Sequence, residues 1–327
     1  LFSSFSKHVR AYFTHPHLLA LLEFPVLFLG AMPRDTPALY SLMNYAGLQQ
    51  GTFYPMGGFG SVVNAFEKIC TTFGVRMHIN HPIENMQLVG KKISALHTAN
   101  KSFPADAVIA SADYHHVESK LLPKEARNYD EKYWDKKTFA PSCLIFYVGV
   151  NKKIKNLLHH NLFFEEDFAL HAEEIYKSKK WPSKPLFYVC CPSKTDPSVA
   201  PEGKENLFFL MPIAAGLENE TNTNEDYFVL MLKRIEAFTK ESIREHIILK
   251  KSYSVNDFTK DYNAYKGNAY GLANTLLQTA IFKPKLKSKK IENLFFAGQL
   301  TVPGPGVPPS IISGQIAANE VSNYLNL

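Results

Sequence analysis

IENLFFAGQLTVPGPGVPPSIISGQIAANEVSNYL spans residues 291–325 of this 327-residue chain. Within it, Leu294-Phe295-Phe296-Ala297 is an apolar run without alternation, the pattern of a strand buried on both faces of a parallel sheet. Gly298 closes the run, a loop dense in Pro and Gly follows, and the spacing predicts a helix beginning near Pro309 or Ser310. In that helix Ile312 and Ile316 share a face, while Ser313, Gly314, Ala317 and Ala318 keep part of the surface thin. Glycine in a helix interior costs roughly 0.5–1 kcal/mol relative to alanine, so Gly314 is expected to admit close approach of another group. Strand, glycine loop and thin helix together describe a ligand-binding edge. Open α/β sheets bind ligands beyond the carboxyl ends of their strands, where free helical N–H groups attract electron-rich atoms. An ordinary strand, loop and helix at a chain end reads the same by spacing alone.

Upstream, Pro16 suits the start of a helix carrying Leu18, Leu19, Leu21 and Leu22, and Thr36-Pro37-Ala38-Leu39-Tyr40 opens a second. Tyr54-Pro55-Met56-Gly57-Gly58 precedes a helix from about Ser61, with Val62, Phe66, Ile69 and Phe73 on one face and Gly74 as its cap. Val75, Met77 and Ile79 alternate like a strand. Gly58-Phe59-Gly60 lacks both the final glycine and the leading strand of a dinucleotide fingerprint. The runs 83–89 and 92–98 meet across Gly90 as a hairpin, and 106–113 supplies a second buried strand. Four further strands are predicted at 142–150, 186–191, 207–211 and 247–253, with a helix over 227–243. Irregular alternation of strands and helices favours an antiparallel sheet there over βαβ repeats.

Asn293-Leu-Phe-Phe-Ala-Gly298 followed by Pro303-Gly-Pro-Gly-Val-Pro308 resembles the C-terminal flavin motif of bacterial-type phytoene desaturases, FAD-dependent carotenoid desaturases related to the amine oxidases. Tyr54 to Gly58 resembles their Y-P-x-G-G motif, and Gly267 to Gly271 resembles a further segment. The resemblance implies FAD as cofactor, with Ile83, Gly298, Gln299, Gly306, Val307, Pro308 and Ser310 beside it and Tyr54, Gly57 and Gly58 on the substrate side. The implied fold class is α/β with an α+β second domain. Residues 51–112 and 286–327 would form a discontinuous Rossmann-like FAD-binding domain, and 1–50 and 113–285 a substrate and membrane-facing domain. Two departures bear on the cofactor. No opening strand with G-x-G-x-x-G occurs, so the likeness covers the C-terminal two thirds of a desaturase, and a chain beginning at Leu1 is expected to be a fragment or processed form. Relatives also continue Gly-Ala-Gly-Thr where this chain has Gly298-Gln299-Leu300-Thr301.

The implied activity is hydrogen removal from a long polyene such as phytoene. That chemistry needs an electron sink beyond side chains, hence a redox cofactor. A carotenoid isomerase or saturase is the alternative within the family, and a truncated, non-catalytic lipid-binding protein the alternative outside it. No general base declares itself: Glu218, Glu220, Asp257 and Asp261 are carboxylates without paired spacing, and G-x-S-x-G is absent. The 24 Phe and 16 Tyr suit either a core or an apolar tunnel.

Net charge is +6, partly from Lys283, Lys285, Lys287, Lys289 and Lys290, which read as a solvated loop or a contact for anionic headgroups. No recognition motif accompanies the charge, so nucleic acid is not expected. Cys70, Cys143, Cys190 and Cys191 lack C-x-x-C spacing and read as reduced thiols in the cytoplasm. The pairs His115-His116 and His159-His160 match no ligand motif, and no metal is expected. No apolar run approaches the ~20 residues of a spanning helix. Residues 18–32 come nearest but carry Glu23 and Pro25. Peripheral membrane attachment is therefore the expected route to an insoluble substrate.

Overall fold

The computed structural model describes residues 3–218, 223–275 and 277–327; the side chains of residues 27–29 and all of Glu220 lie outside that description. Among the described residues run ten strands: β1 (Asn85–Val89), β2 (Lys92–His97), β3 (Ser102–Pro104), β4 (Val108–Ala110), β5 (Ser142–Val150), β6 (His160–Phe163), β7 (Phe187–Cys190), β8 (Glu205–Ile213), β9 (Ile247–Tyr253) and β10 (Leu294–Phe296). They fall into two compact units, one of residues 1–40, 78–141 and 257–327, the other of 41–77 and 142–256.

In the first unit β10 pairs in parallel with β4, Leu294 opposite Val108 and Phe296 opposite Ala110. All three β10 residues are buried, as an apolar run without alternation requires. The predicted hairpin forms as β1 and β2, and β3 extends it into an antiparallel sheet. Asn293 fastens that sheet to the parallel pair: its Oδ1 accepts the Ile93 N–H at 2.8 Å, and its Nδ2 donates to the carbonyls of Ile93 and Asp106 at 2.8 and 3.0 Å. Beyond the strand, Phe296 stacks on Tyr114 with ring centroids 3.7 Å apart. The N-terminal helices Phe5–Arg10 and Pro16–Glu23 close a smaller cluster around Phe5, Val9 and Val26, with buried Glu23 paired to Arg10 at 3.1 Å. Leu19 and Leu22 pack there, while Leu18 and Leu21 face out.

The second unit is built on a five-stranded sheet in the order β6-β7-β8-β5-β9, antiparallel throughout as expected. Helix Thr223–Thr239 covers one face, burying Phe228, Met231, Leu232 and Ile235, each worth about 1.5–3 kcal/mol on transfer from water. It stops four residues before Ile243, because Lys240 takes the left-handed conformation at φ +59°. Helix Phe59–Thr72 ends as predicted: Gly74, at φ +73°, donates to Thr71, and the Val75 N–H closes back on Cys70 at 2.9 Å. Its apolar stripe is not core, however. No residue of the helix is buried, and Phe66, Ile69 and Phe73 stand exposed. Val75, Met77 and Ile79 alternate in polarity but form no strand, for none of the described strands pairs with them.

The α/β class holds, with a purely antiparallel second sheet, whereas the unit boundaries fall elsewhere than expected. Residues 51–77 belong to the five-stranded unit. Residues 113–141 and 257–285 belong with β4 and β10, because Tyr114, Trp134 and Leu272 share one core with Val108, Leu294 and Phe296.

Candidate flavin site at the end of the parallel strands

The carboxyl ends of β4 and β10 open on a cavity of about 490 Å³, within the ~300–1,000 Å³ range of small-molecule sites. Ser111, Ala112 and Asp113 line it after β4, and Ala297, Gly298, Gln299 and Leu300 after β10. The C-terminal helix Val307–Leu325 contributes Ser310 and Gly314, and Asn268 and Ala269 come from the Gly267–Gly271 segment. At Gly314 a methyl would touch nothing within 4 Å, so that face of the helix meets open space at the cavity. At Gly298, φ is +105°, a conformation that admits glycine and lets the chain turn from strand to loop. Its N–H donates to Ser313 Oγ at 2.8 Å, and that hydroxyl donates to the Ser310 carbonyl at 2.6 Å.

The helix begins at Val307, two or three residues earlier than predicted, because proline is tolerated in a first turn. That start weakens the expected anion site. Pro308 and Pro309 have no N–H, and the Ser310 N–H is already bonded to Gly306, leaving Val307 as the remaining first-turn donor.

Asp113 carries the one carboxyl among the lining residues. It caps the short helix Tyr114–His116, with Oδ1 accepting the His116 N–H at 3.0 Å and Oδ2 the Tyr265 N–H at 3.3 Å. Burial pushes its carboxyl above the usual carboxylate range, against those two hydrogen bonds and the nearby His115 and His116. The sequence marked the Ala-Asp strand end without marking Asp113 as a cavity residue. Among the other carboxylates, Glu218 lies in the second unit and Asp257 and Asp261 are not in the lining.

Beneath the Pro303–Gly306 loop, Lys283 departs from its expected place in a solvated basic run. Lys285, Lys287, Lys289 and Lys290 are exposed, but Lys283 is 2% exposed and its Nζ has no hydrogen-bond partner. The neighbouring Asn274 Oδ1 is likewise unpartnered, and both atoms lie within 3.6 Å of where a Cβ at Gly304 would stand. Burial lowers the Lys283 amine to about 8.

The sequence-predicted residues are thus distributed. Gly298, Gln299 and Ser310 meet at the cavity; Gly306, Val307 and Pro308 form the turn into its helix; Ile83 lies just ahead of β1 and outside the lining. Tyr54, Gly57 and Gly58 lie in the second unit, where Gly57 at φ +84° and Gly58 at φ +82° shape a loop whose Gly57 N–H donates to Asp196 at 2.6 Å.

A parallel pair ending in a glycine turn, a thin-surfaced helix and a cavity between them define a cofactor-binding α/β protein. The chain belongs to the flavin containing amine oxidoreductase family, whose sequence pattern matches residues 3–322. It is similar to a carotenoid 3,4-desaturase of Haloarcula japonica, 39% identical over 323 residues that cover 98% of this chain and 65% of that protein. A phytoene desaturase of Phycomyces blakesleeanus is 30% identical over 342 residues, covering 100% of this chain and 58% of the relative. The chain thus spans 65% and 58% of the lengths of these two proteins. Its fold is similar to that of an oxidoreductase from Methanosarcina mazei, with a TM-score of 0.64 at 16% identity over 97% of this chain and 68% of the other. Reduced UDP-galactopyranose mutase gives 0.60 at 13% identity, over 99% and 68%. Among the described residues no helix is long and apolar enough to cross a membrane.

Proposed function

We propose that this chain serves FAD-dependent desaturation of a carotenoid precursor such as phytoene. The observation that carries the reading is the cavity lined by Gly298, Gln299, Ser310 and Gly314, in a chain 39% identical to a carotenoid 3,4-desaturase. The residues fit a flavin: the lining is mostly small or apolar, one helix face carries no side chain at Gly314, and an unpartnered donor and acceptor lie under the adjoining loop.

Gly298, Gln299, Gly306, Val307, Pro308 and Ser310 would hold the cofactor, with Ile83 toward its adenine end. Bound flavin supplies the hydride acceptor that hydrocarbon desaturation requires. Asp113 is positioned to hold a proton within the cavity, since burial favours its neutral form and one backbone N–H fixes each oxygen. Tyr54, Gly57 and Gly58 would face the substrate. An insoluble polyene also calls for peripheral attachment to a membrane, for which exposed Leu18, Leu21 and Lys285 to Lys290 supply apolar and basic contacts.

Incubation of the chain with FAD, phytoene in liposomes and a quinone, followed by chromatography, tests the reading. Products with added double bonds support it. Unchanged substrate from a preparation that binds flavin refutes desaturation, and protein left in the dense fraction when the liposomes float refutes attachment.

A further inference from the structure

We propose that His159, His160 and Cys190 form a binding site for one divalent transition metal of the zinc class, at the open edge of the five-stranded sheet. One nitrogen of each imidazole and the Cys190 Sγ lie within 4.8 Å of one another. The topology explains how they meet. His160 on β6 sits directly opposite Cys190 on β7, so their side chains rise from the same face of the sheet. His159 immediately precedes β6, outside the pleat, and its ring reaches the same side, with centroids 4.3 Å from that of His160. Cys191 points the other way into the core, which leaves a single thiol at the site.

Both imidazoles are already oriented. Thr195 Oγ1 lies 2.7 Å from His159 Nδ1, and Tyr188 OH lies 2.5 Å from His160 Nδ1. Hydroxyl and carbonyl partners of this kind fix ring orientation in metal sites and raise ligand affinity. The site is accessible, since His160 is exposed and His159 and Cys190 are half-buried. Two nitrogens and a sulfur select zinc, cobalt or copper and reject magnesium and calcium, which require oxygen ligands. Three protein ligands leave a fourth tetrahedral position for water. Binding forms a metal–sulfur bond and releases the Cys190 thiol proton to solvent, with no change of oxidation state.

The His159 ring also meets Tyr54 edge to face at 4.8 Å, and Asp196, one residue beyond Thr195, accepts the Gly57 N–H. A bound metal would therefore fix the base on which the Tyr54–Gly58 loop rests. This site is independent of the flavin reading: none of its residues lines the cavity beyond β4 and β10.

Titration of the chelator-treated chain with cobalt(II) chloride tests it. The expected result is one metal per chain, a thiolate-to-cobalt charge-transfer band in the near ultraviolet, tetrahedral d–d bands, and displacement of all of them by zinc chloride. C190S loses the charge-transfer band, H160Q loses the tetrahedral spectrum, and Tyr188→Phe weakens binding about tenfold. Cys70→Ser changes nothing. Zinc also slows alkylation of Cys190 by iodoacetamide in the unmutated chain, a readout that needs no variant to fold. The proposal is overturned if no cobalt spectrum develops, if the band survives in C190S, or if zinc leaves the alkylation rate of Cys190 unchanged.

Discussion

Gly298 donates its N–H to Ser313 Oγ at 2.8 Å, from the end of β10 to the second turn of the C-terminal helix. A single hydroxyl thus sets the strand end against the helix, since it also donates to the Ser310 carbonyl. Ser313→Ala leaves the half-buried Gly298 donor without its acceptor, at a cost of about 1 kcal/mol. Urea denaturation is expected to show that loss, and flavin titration followed by fluorescence quenching is expected to show weaker binding.

Gly314→Ala separates stability from function. The methyl meets no protein atom within 4 Å and improves helix propensity, so stability should rise by about 0.5–1 kcal/mol. The same methyl enters the cavity, so flavin affinity should fall. A stabilised variant with unchanged flavin binding would place the cofactor elsewhere.

Lys283 gives the first unit a characteristic pH dependence. Its amine titrates near 8 when folded and near 10.5 in the unfolded chain, so between those values the unfolded state holds more protons and stability rises with pH. Below about 8 the charge stays buried at a cost of up to about 3 kcal/mol. Lys283→Met is expected to remove the slope and to stabilise the protein at pH 7, as measured by denaturation at pH 7 and pH 10.

His171 acts on the second unit from the acid side. Leu186 donates its N–H to Nδ1 at 2.8 Å, so Nε2 carries the ring proton and donates to the Pro212 carbonyl at 2.9 Å. Burial drives the imidazole down to about 4 from 6.5, so stability falls as pH drops through that interval, by up to about 3 kcal/mol. His171→Phe should flatten this slope, while stranding the Leu186 N–H at a cost of about 1–3 kcal/mol at neutral pH. Hydrogen exchange at β7 and β8 between pH 4 and pH 7 reads both effects.

Periodicity made most of the architecture legible. β10, the β1–β2 hairpin and four strands of the antiparallel sheet follow from apolar runs and turn residues. β6 escaped because His160-Asn161-Leu162-Phe163 is short and half polar, and it becomes a strand through pairing with β7. The Gly298, Gln299 and Ser310 corner was readable from its glycines, but Asp113 acquires its environment from Tyr265, 152 residues along the chain. Lys283 was indistinguishable from its lysine neighbours, since composition cannot tell which member of a run turns inward. Phe66, Ile69 and Phe73 show the converse: a helical stripe records which face is apolar and does not record what, if anything, covers it.

Asn293 has a consequence for the order of assembly. With one amide spanning the backbone of Ile93 and Asp106, the meander of β1 to β3 cannot lock to β10 until a residue 200 positions downstream of Ile93 has arrived. During synthesis the meander must therefore wait, its edge open, until the ribosome has delivered Asn293. Truncation before Asn293 should leave a long nascent polypeptide with an unlatched, chaperone-binding sheet.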